Sequence, residues 1–379
     1  MLNIHFNALF QNISFLSNNY AIGFHRMKRR FHLVFIIDML RKSFAFACIK
    51  RGKSRPSPLG PPHRAGSKTA VSFIIFCLAS FSILISLSKG STSTSLYQLL
   101  LHDTSQFNTL FFKLRLPRTL TAFVSGGLLA LAGTLMQLLV QNPLADPYVL
   151  GISGGAALFT LMMMLIGVSD VWLTGGAWLG SLLTILLILL LAKKHRWQSH
   201  TLLLSGIAIA CGFSACISFI LLASPNTSIH SMLFWLTGDL NDTRFPWLGL
   251  IILTVGFIIC LLLAPGLNIL GRGENEAKSL GLPSKRYRII LYLLSSLFTA
   301  QAVTLAGCIG FIGLIIPHLT RLIVGFDHRI MLPVSLLLGG SLLTLADTFA
   351  RTLLAPQQLP VGMVMAFIGI PIFIWLLQK

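Results

Sequence analysis

From residue 70 to its C-terminal end, this 379-residue chain is a succession of long apolar stretches separated by short polar segments. A stretch of roughly 20 apolar residues can cross about 30 Å of hydrocarbon as an α-helix. Lipid cannot pair with backbone N–H and C=O groups, so only helices and closed β-barrels span membranes, and the short alternating segments of a barrel are absent. The sequence therefore predicts an all-α polytopic membrane protein.

Ten apolar stretches have the length of a transmembrane helix, so both termini are expected on one side of the membrane. With that side cytoplasmic, the inner loops after residue 69 hold eleven Lys and Arg residues and the outer loops hold six. Because positive charge accumulates in cytoplasmic loops, we predict that both termini lie inside. The predicted spans are 70–88, 119–140, 148–168, 171–192, 201–223, 246–267, 289–306, 308–325, 330–348 and 359–377.

The boundary between the seventh and eighth spans is the hardest to place from sequence. Residues 289–317 carry no charge and are too long for one crossing. Gly307, Gly310 and Gly313 mark the place where the chain is expected to turn. Backbone groups freed by such a turn must be paired with protein or water, because lipid offers no partner.

The charge distribution divides the chain into two parts. The net charge of +19 could suggest a nucleic-acid partner, but twelve of the 29 Lys and Arg residues lie in residues 1–69. We therefore expect the chain to contact membrane lipid and to bind no nucleic acid. Residues 1–69 are predicted to be a basic N-terminal extension, either poorly ordered or lying on the membrane surface. Residues 70–379 are predicted to be the transmembrane domain.

Two charged pairs lie near the predicted outer face. Arg115 and Arg118 precede the second span, and their guanidinium groups could dock an acidic partner or simply anchor the helix end. Asp347 and Arg351 lie four residues apart near the end of the ninth span and can form an ion pair on one helix face.

The largest inner loop covers residues 271–283. Its stretch from Glu274 to Leu280 has the composition of a helix, Gly281 suits a C-terminal cap, and Pro283 suits a stop. A short polar helix flanked by glycines could fit a groove on a cytosolic protein, although an ordinary solvated turn explains the same residues.

The sequence offers no chemistry for a reaction or for energy coupling. It contains no phosphate-binding loop, no HExxH motif and no CxxC pair, and five of its six cysteines fall in apolar spans. We therefore expect no metal, no cofactor and no enzymatic activity of its own. An ion-coupled secondary transporter is the main alternative, but none of the predicted spans carries an acid near its centre. A membrane-embedded enzyme would need paired polar catalytic groups.

In their joint order, several short stretches resemble the FecCD-type permease subunits of ABC importers for iron-siderophores, haem and vitamin B12. They extend over nearly all of residues 70–379. The matching stretches are 115–118, 126–137, 142–147, 150–155, 274–281, 310–321, 327–329, 347–351 and 359–371.

The resemblance implies a type II ABC importer permease with ten transmembrane helices, which dimerises with a second permease subunit, identical or not. It implies a cytosolic ABC ATPase, a periplasmic or lipid-anchored substrate-binding protein and a location in the bacterial cytoplasmic (inner) membrane. It assigns binding-protein docking to Arg115, Arg118 and Arg351. It assigns ATPase coupling to Glu274, Ala277, Leu280 and Gly281, and a cytosolic gate to Ser199 and His200.

The chain departs from the family pattern at two places within residues 70–379, and the 69-residue N-terminal extension also lies outside the pattern. Gln358 stands where the family usually has Glu, which puts in doubt any outer-face contact made there. Gly369-Ile370-Pro371 replaces the usual Gly-Ala-Pro. Iron-siderophore is the first expectation for the substrate, ahead of haem and cobalamin.

Overall fold

The computed structural model describes residues 65–90, 109–194, 199–240, 246–355 and 357–378. The predicted extension before residue 65 lies outside the described residues and stays a prediction. Within the described ranges, all regular secondary structure is helical. A π-helix, Thr109–Arg115, leads directly into the second α-helix, and a 3₁₀ turn, Pro147–Leu150, precedes the third.

Twelve α-helices lie within the described ranges, ten of them apolar and two short and more polar. In chain order they are α1 Ala65–Ser88, α2 Leu116–Val140, α3 Ile152–Ile166, α4 Asp170–Lys194, α5 Ser199–Ala223, α6 Asn226–Leu236, α7 Trp247–Leu270, α8 Glu274–Ser279, α9 Ser284–Ala306, α10 Ile312–Val324, α11 His328–Thr352 and α12 Val361–Leu377.

The predicted all-helical membrane class is confirmed, and each of the ten predicted spans coincides with one helix. Among the described residues, seven helices are long and apolar enough to cross a membrane, whereas α3, α10 and α12 are shorter apolar helices. The count of ten crossings therefore stays a prediction. The first helix begins at Ala65, earlier than predicted, and α6 was not predicted at all.

The turn between α9 and α10 lies where the glycines indicated. Helix α9 ends at Ala306, and Gly307 follows with φ 69°, a conformation that L-residues rarely adopt. Phe311 then takes φ 70° immediately before α10. A positive φ is unusual for a bulky residue, and the ring of Phe311 lies where a side chain at Gly369 would be. Packing against α12 therefore holds this strained residue in place.

Helix α2 is the centre of the bundle and contacts α1, α7, α9, α10 and α11. Glycines permit the closest of these contacts. A methyl group on Gly126 would overlap the carbonyl oxygen of Gly339 in α11, and one on Gly133 would overlap that of Gly313 in α10. Small residues of this kind let helices approach closely in lipid.

Contacts between helix ends define two ends of the bundle. At one, which we call the arginine end, the last residues of α1 and α11 meet the start of α2. At the other, the loop end, the start of α11 meets the end of α7, next to α8. Helix α1 begins at the loop end, because Val71 and Ile75 pack with Val324 and Val334.

We predict that Gly133→Ala destabilises the protein, because the added methyl group would overlap the backbone of Gly313. Overpacking of this kind costs about 1–3 kcal/mol. Gly175→Ala in α4 is the matched control, since a Cβ there meets nothing within 4 Å. Thermal unfolding in detergent would compare the two variants, and equal melting temperatures would contradict this account of α2 packing.

Candidate functional site

The arginine end is organised around one buried carboxylate. Asp347 of α11 has no exposed surface, and Arg118 at the start of α2 donates to it from Nη2 over 2.8 Å. The Nε atom of Arg351 lies 3.1 Å from the other oxygen of Asp347. The predicted pair between Asp347 and Arg351 is therefore confirmed, and Arg118 joins it. A buried carboxylate requires such partners, because an unpaired charge in an apolar interior is very costly.

Both arginines also reach beyond Asp347. The Nη1 atom of Arg118 donates to Gln358 Oε1 over 2.7 Å, which links α2 to the segment before α12. The Nη2 atom of Arg351 donates to the hydroxyl of Ser86 in α1 over 2.8 Å. The arginine network, which we define as Arg115, Arg118, Asp347, Arg351 and Gln358, thus joins four elements of the bundle.

Arg115 holds the C-terminal end of α1. Its Nη1 atom lies 3.3 Å from the carbonyl oxygens of Leu87 and Ser88, where a helix leaves its last acceptors unpaired. Cations are favourable at that position because the helix dipole is negative there. Arg115 is 5% exposed and Arg351 3%, whereas the side chain of Arg118 retains 13%. The predicted docking role of these arginines stays a prediction, and Arg118 is the most accessible of the three.

At the loop end, the predicted polar helix is present as α8. Glu274 pairs with Lys278 over 2.8 Å within the helix and with Arg288 of α9 over 2.6 Å. These contacts, the hydrogen bond from Lys278 first, hold the pKa of Glu274 below its ordinary value. The carboxylate therefore stays charged near neutral pH and fastens the start of α8 to α9.

The end of α8 confirms the predicted glycine cap. Gly281 has φ 75°, its N–H bonds the carbonyl of Lys278, and the N–H of Leu282 bonds that of Ala277. This double pattern is the Schellman motif, which favours glycine at this position. Ala277 is fully buried beneath the helix, while Leu280 keeps 44% of its surface exposed. The helix therefore presents an apolar side chain to whatever faces the loop end.

The remaining predicted site lies at the start of α5. Ser199 is the first residue of that helix and His200 the second. The structure describes their backbone but not their side chains, so the gate stays a prediction. Across the described part of the chain, no group of three or more His, Cys, Asp or Glu side chains could hold a metal ion.

Two contacts of the site residues were missed from sequence. Gln358 accepts a hydrogen bond from Arg118, a contact within the bundle that the sequence did not predict. Asn268, in the last turn of α7, bonds Asp327 and His328 at the start of α11. The sequence signal that could have indicated this contact was Asn268 itself, a single amide near the end of a strongly apolar helix.

We predict that Asp347→Asn lowers the stability of the protein substantially, because it leaves one buried and one partly buried guanidinium group without their shared anion. Breaking a buried ion pair from one side costs about 3–5 kcal/mol. Glu276→Gln, on the exposed face of α8, is the control. The unfolding midpoint of each variant would be measured in detergent. Equal midpoints for Asp347→Asn and the control would show that the arginine network contributes nothing to stability.

Comparison with known proteins finds chains of similar sequence. The chain is 40% identical over 272 residues to the vitamin B12 import system permease protein BtuC of Escherichia coli O127:H6, a match covering 71% of this chain and 83% of that protein. It is 38% identical over 295 residues to an ABC transporter permease protein of Methanocaldococcus jannaschii, covering 72% and 82% of the two chains.

A solved structure shares the fold. An inward-facing metal-chelate type ABC transporter superimposes with a TM-score of 0.73 at 32% identity, covering 83% of this chain and 100% of that one. The sequence profile of the FecCD transport family matches residues 76–379, which include every described helix after the first turns of α1. The chain therefore belongs to the FecCD transport family.

Proposed function

We propose that this chain is the membrane-spanning permease subunit of an ABC importer, and that it carries a metal chelate or cobalamin across the cytoplasmic membrane. The family match over residues 76–379 is the observation that carries the proposal. Two similar proteins are described as a vitamin B12 permease and a metal-chelate transporter. Iron-siderophore and haem are metal chelates and remain within this substrate class.

The proposed topology has ten crossings with both termini in the cytoplasm, the arginine end outside and the loop end inside. The seven long helices would cross the membrane fully, and α3, α10 and α12 would be the shorter crossings. The excess of Lys and Arg in the loops of the loop end supports this orientation. Trp247, 65% exposed near the arginine end, suits a membrane interface.

Helix α8 is the proposed contact for a cytosolic ATPase subunit. Glu274 fastens it to α9 and Ala277 is buried beneath it, so a push on α8 would be transmitted to the bundle. Leu280 and Gly281 form the exposed end that would enter a groove on the ATPase. ATP hydrolysis by the partner subunit would then drive a rigid-body shift of this chain between outward- and inward-open states.

A second permease subunit and a periplasmic or lipid-anchored binding protein complete the proposed importer. The binding protein would dock at the arginine end, with Arg118 as the direct contact. The buried residues Arg115 and Arg351 would add positive electrostatic potential at that surface. Ser199 and His200, at the start of α5, are the proposed cytosolic gate. The importer would lie in the bacterial inner membrane.

An ion-coupled secondary transporter is not favoured. Such a carrier needs a buried group that exchanges its ion during transport. Asp347 is a fully buried carboxylate, but two guanidinium groups already contact it. A proton or cation at Asp347 would have to displace an arginine, which makes a structural role the simpler explanation.

The ATPase contact is tested by purifying the tagged chain from mild-detergent membranes. We expect a stoichiometric ABC ATPase to co-purify, and Leu280→Ala to weaken its binding by on the order of tenfold, since burying a Leu side chain is worth about 1.5–3 kcal/mol. Leu322→Ala, an exposed leucine in the last turns of α10, is the matched control. No ATPase with the folded wild-type chain would overturn the proposal.

The docking contact is tested with two variants that break the same ion pair. Arg118→Gln and Asp347→Asn should both lower stability, but only the first removes a cation from the arginine end. We expect Arg118→Gln alone to weaken binding of the binding protein at low salt, where charge contacts are strongest. Equal losses of affinity in both variants would assign Arg118 a purely structural role.

A further inference from the structure

At the loop end, one amide side chain joins the end of α7 to the start of α11. The Nδ2 atom of Asn268 donates to Asp327 Oδ1 over 2.7 Å. Its Oδ1 atom accepts the backbone N–H of His328 over 2.8 Å and lies 2.8 Å from the ring Nδ1 of the same residue. We call Asn268, Asp327 and His328 the clamp.

The hydrogen bonds of the clamp determine its geometry. The backbone N–H of His328 can only donate, so the oxygen of Asn268 must face it and the amide nitrogen must face Asp327. Asp327 also caps α11 by accepting the backbone N–H of Arg329 over 3.1 Å. The amide of Asn268 therefore fixes the first residues of α11, because it bonds one backbone group and the N-cap side chain there.

The clamp lies next to the proposed coupling helix. Asn268 is in the last turn of α7, which ends at Leu270, and α8 begins at Glu274 after a short connection through Gly273. Helix α8 is fastened on its other side to α9 by the pair between Glu274 and Arg288. A displacement of α8 would therefore pull on α9 directly and, through Asn268, on α11.

Helix α11 connects the two ends of the bundle. It runs without a break from His328 to Thr352, so at about 1.5 Å per residue it spans roughly 38 Å. Its far end carries Asp347 and Arg351, the centre of the arginine network. Apolar contacts between packed helices allow small sliding movements. A hydrogen-bonded junction at the helix start resists such sliding.

We propose that Asn268 is a positioning residue that makes α11 move with the coupling helix, so that nucleotide-driven motion at the loop end reaches the arginine end. The proposal rests on the proposed function, because it requires an ATPase acting on α8. It assigns the clamp a role in coupling that is separate from binding the ATPase.

The test uses the complex of the full chain with its co-purified ATPase in lipid nanodiscs. Spin labels replace Leu354, just after α11, and Trp172, in the first turn of α4, which are 51% and 66% exposed. The native cysteines are changed to alanine. Distances are measured without nucleotide and with ATP plus vanadate. In Asn268→Ala, we expect the nucleotide-induced shift to fall below half its wild-type size while ATP hydrolysis persists.

Asn142→Ala is the matched control. Its Oδ1 atom accepts the backbone N–H of Leu144 over 2.9 Å within the segment that follows α2, so this variant removes an amide that belongs to neither α7 nor α11. This variant should keep the wild-type shift. If Asn268→Ala does not fold, Asn268→Leu takes its place under the same criteria, because it keeps the side-chain size and removes the bonds to Asp327 and His328.

The outcomes separate the two proposals. A wild-type shift in the clamp variant overturns the coupling role of Asn268 and leaves the proposed function intact. Loss of the ATPase from the clamp variant also overturns it, because Asn268 would then position α8 and not α11. A wild-type complex that binds no ATPase overturns the proposed function itself.

Discussion

The close packing of α2 against α11 is the contact on which the rest of the structure depends. In lipid, helices gain little from apolar burial alone, so their association rests on close backbone approach and on interhelical hydrogen bonds. Gly126 and Gly339 provide that approach. Arg118 lies eight residues before Gly126, and Asp347 lies eight residues after Gly339. Because the two helices are antiparallel, the glycine contact sets the register that brings arginine and carboxylate together.

The two ends of the bundle are built differently, and the difference suits two kinds of partner. At the arginine end, charged side chains are mostly buried and bonded to one another, so they hold α1, α2 and α11 together and leave little of Arg118 accessible. At the loop end, a short helix projects between two long ones and is fastened by few contacts. A rigid face suits docking, whereas a projecting helix suits mechanical coupling.

Much of this architecture could be predicted from the sequence because lipid imposes simple constraints. Runs of apolar residues located all ten apolar helices, glycines located the turn at Gly307, and Gly281 located the end of α8. The i, i+4 pair of Asp347 and Arg351 was also predictable, because both partners lie on one helix. Helix α6 was missed because it is short and only moderately apolar, so neither its length nor its polarity distinguished it from a connecting loop.

Thus the sequence by itself determined the fold class, the helix boundaries within a few residues and the family, since these follow from local polarity and from the order of short motifs. Only the tertiary structure decided which charges meet. Arg118 contacts Asp347 across 229 residues, and Asn268 contacts Asp327 across 59. No local pattern encodes such pairs, because they depend on the register between packed helices, which close contacts such as that of Gly126 with Gly339 establish.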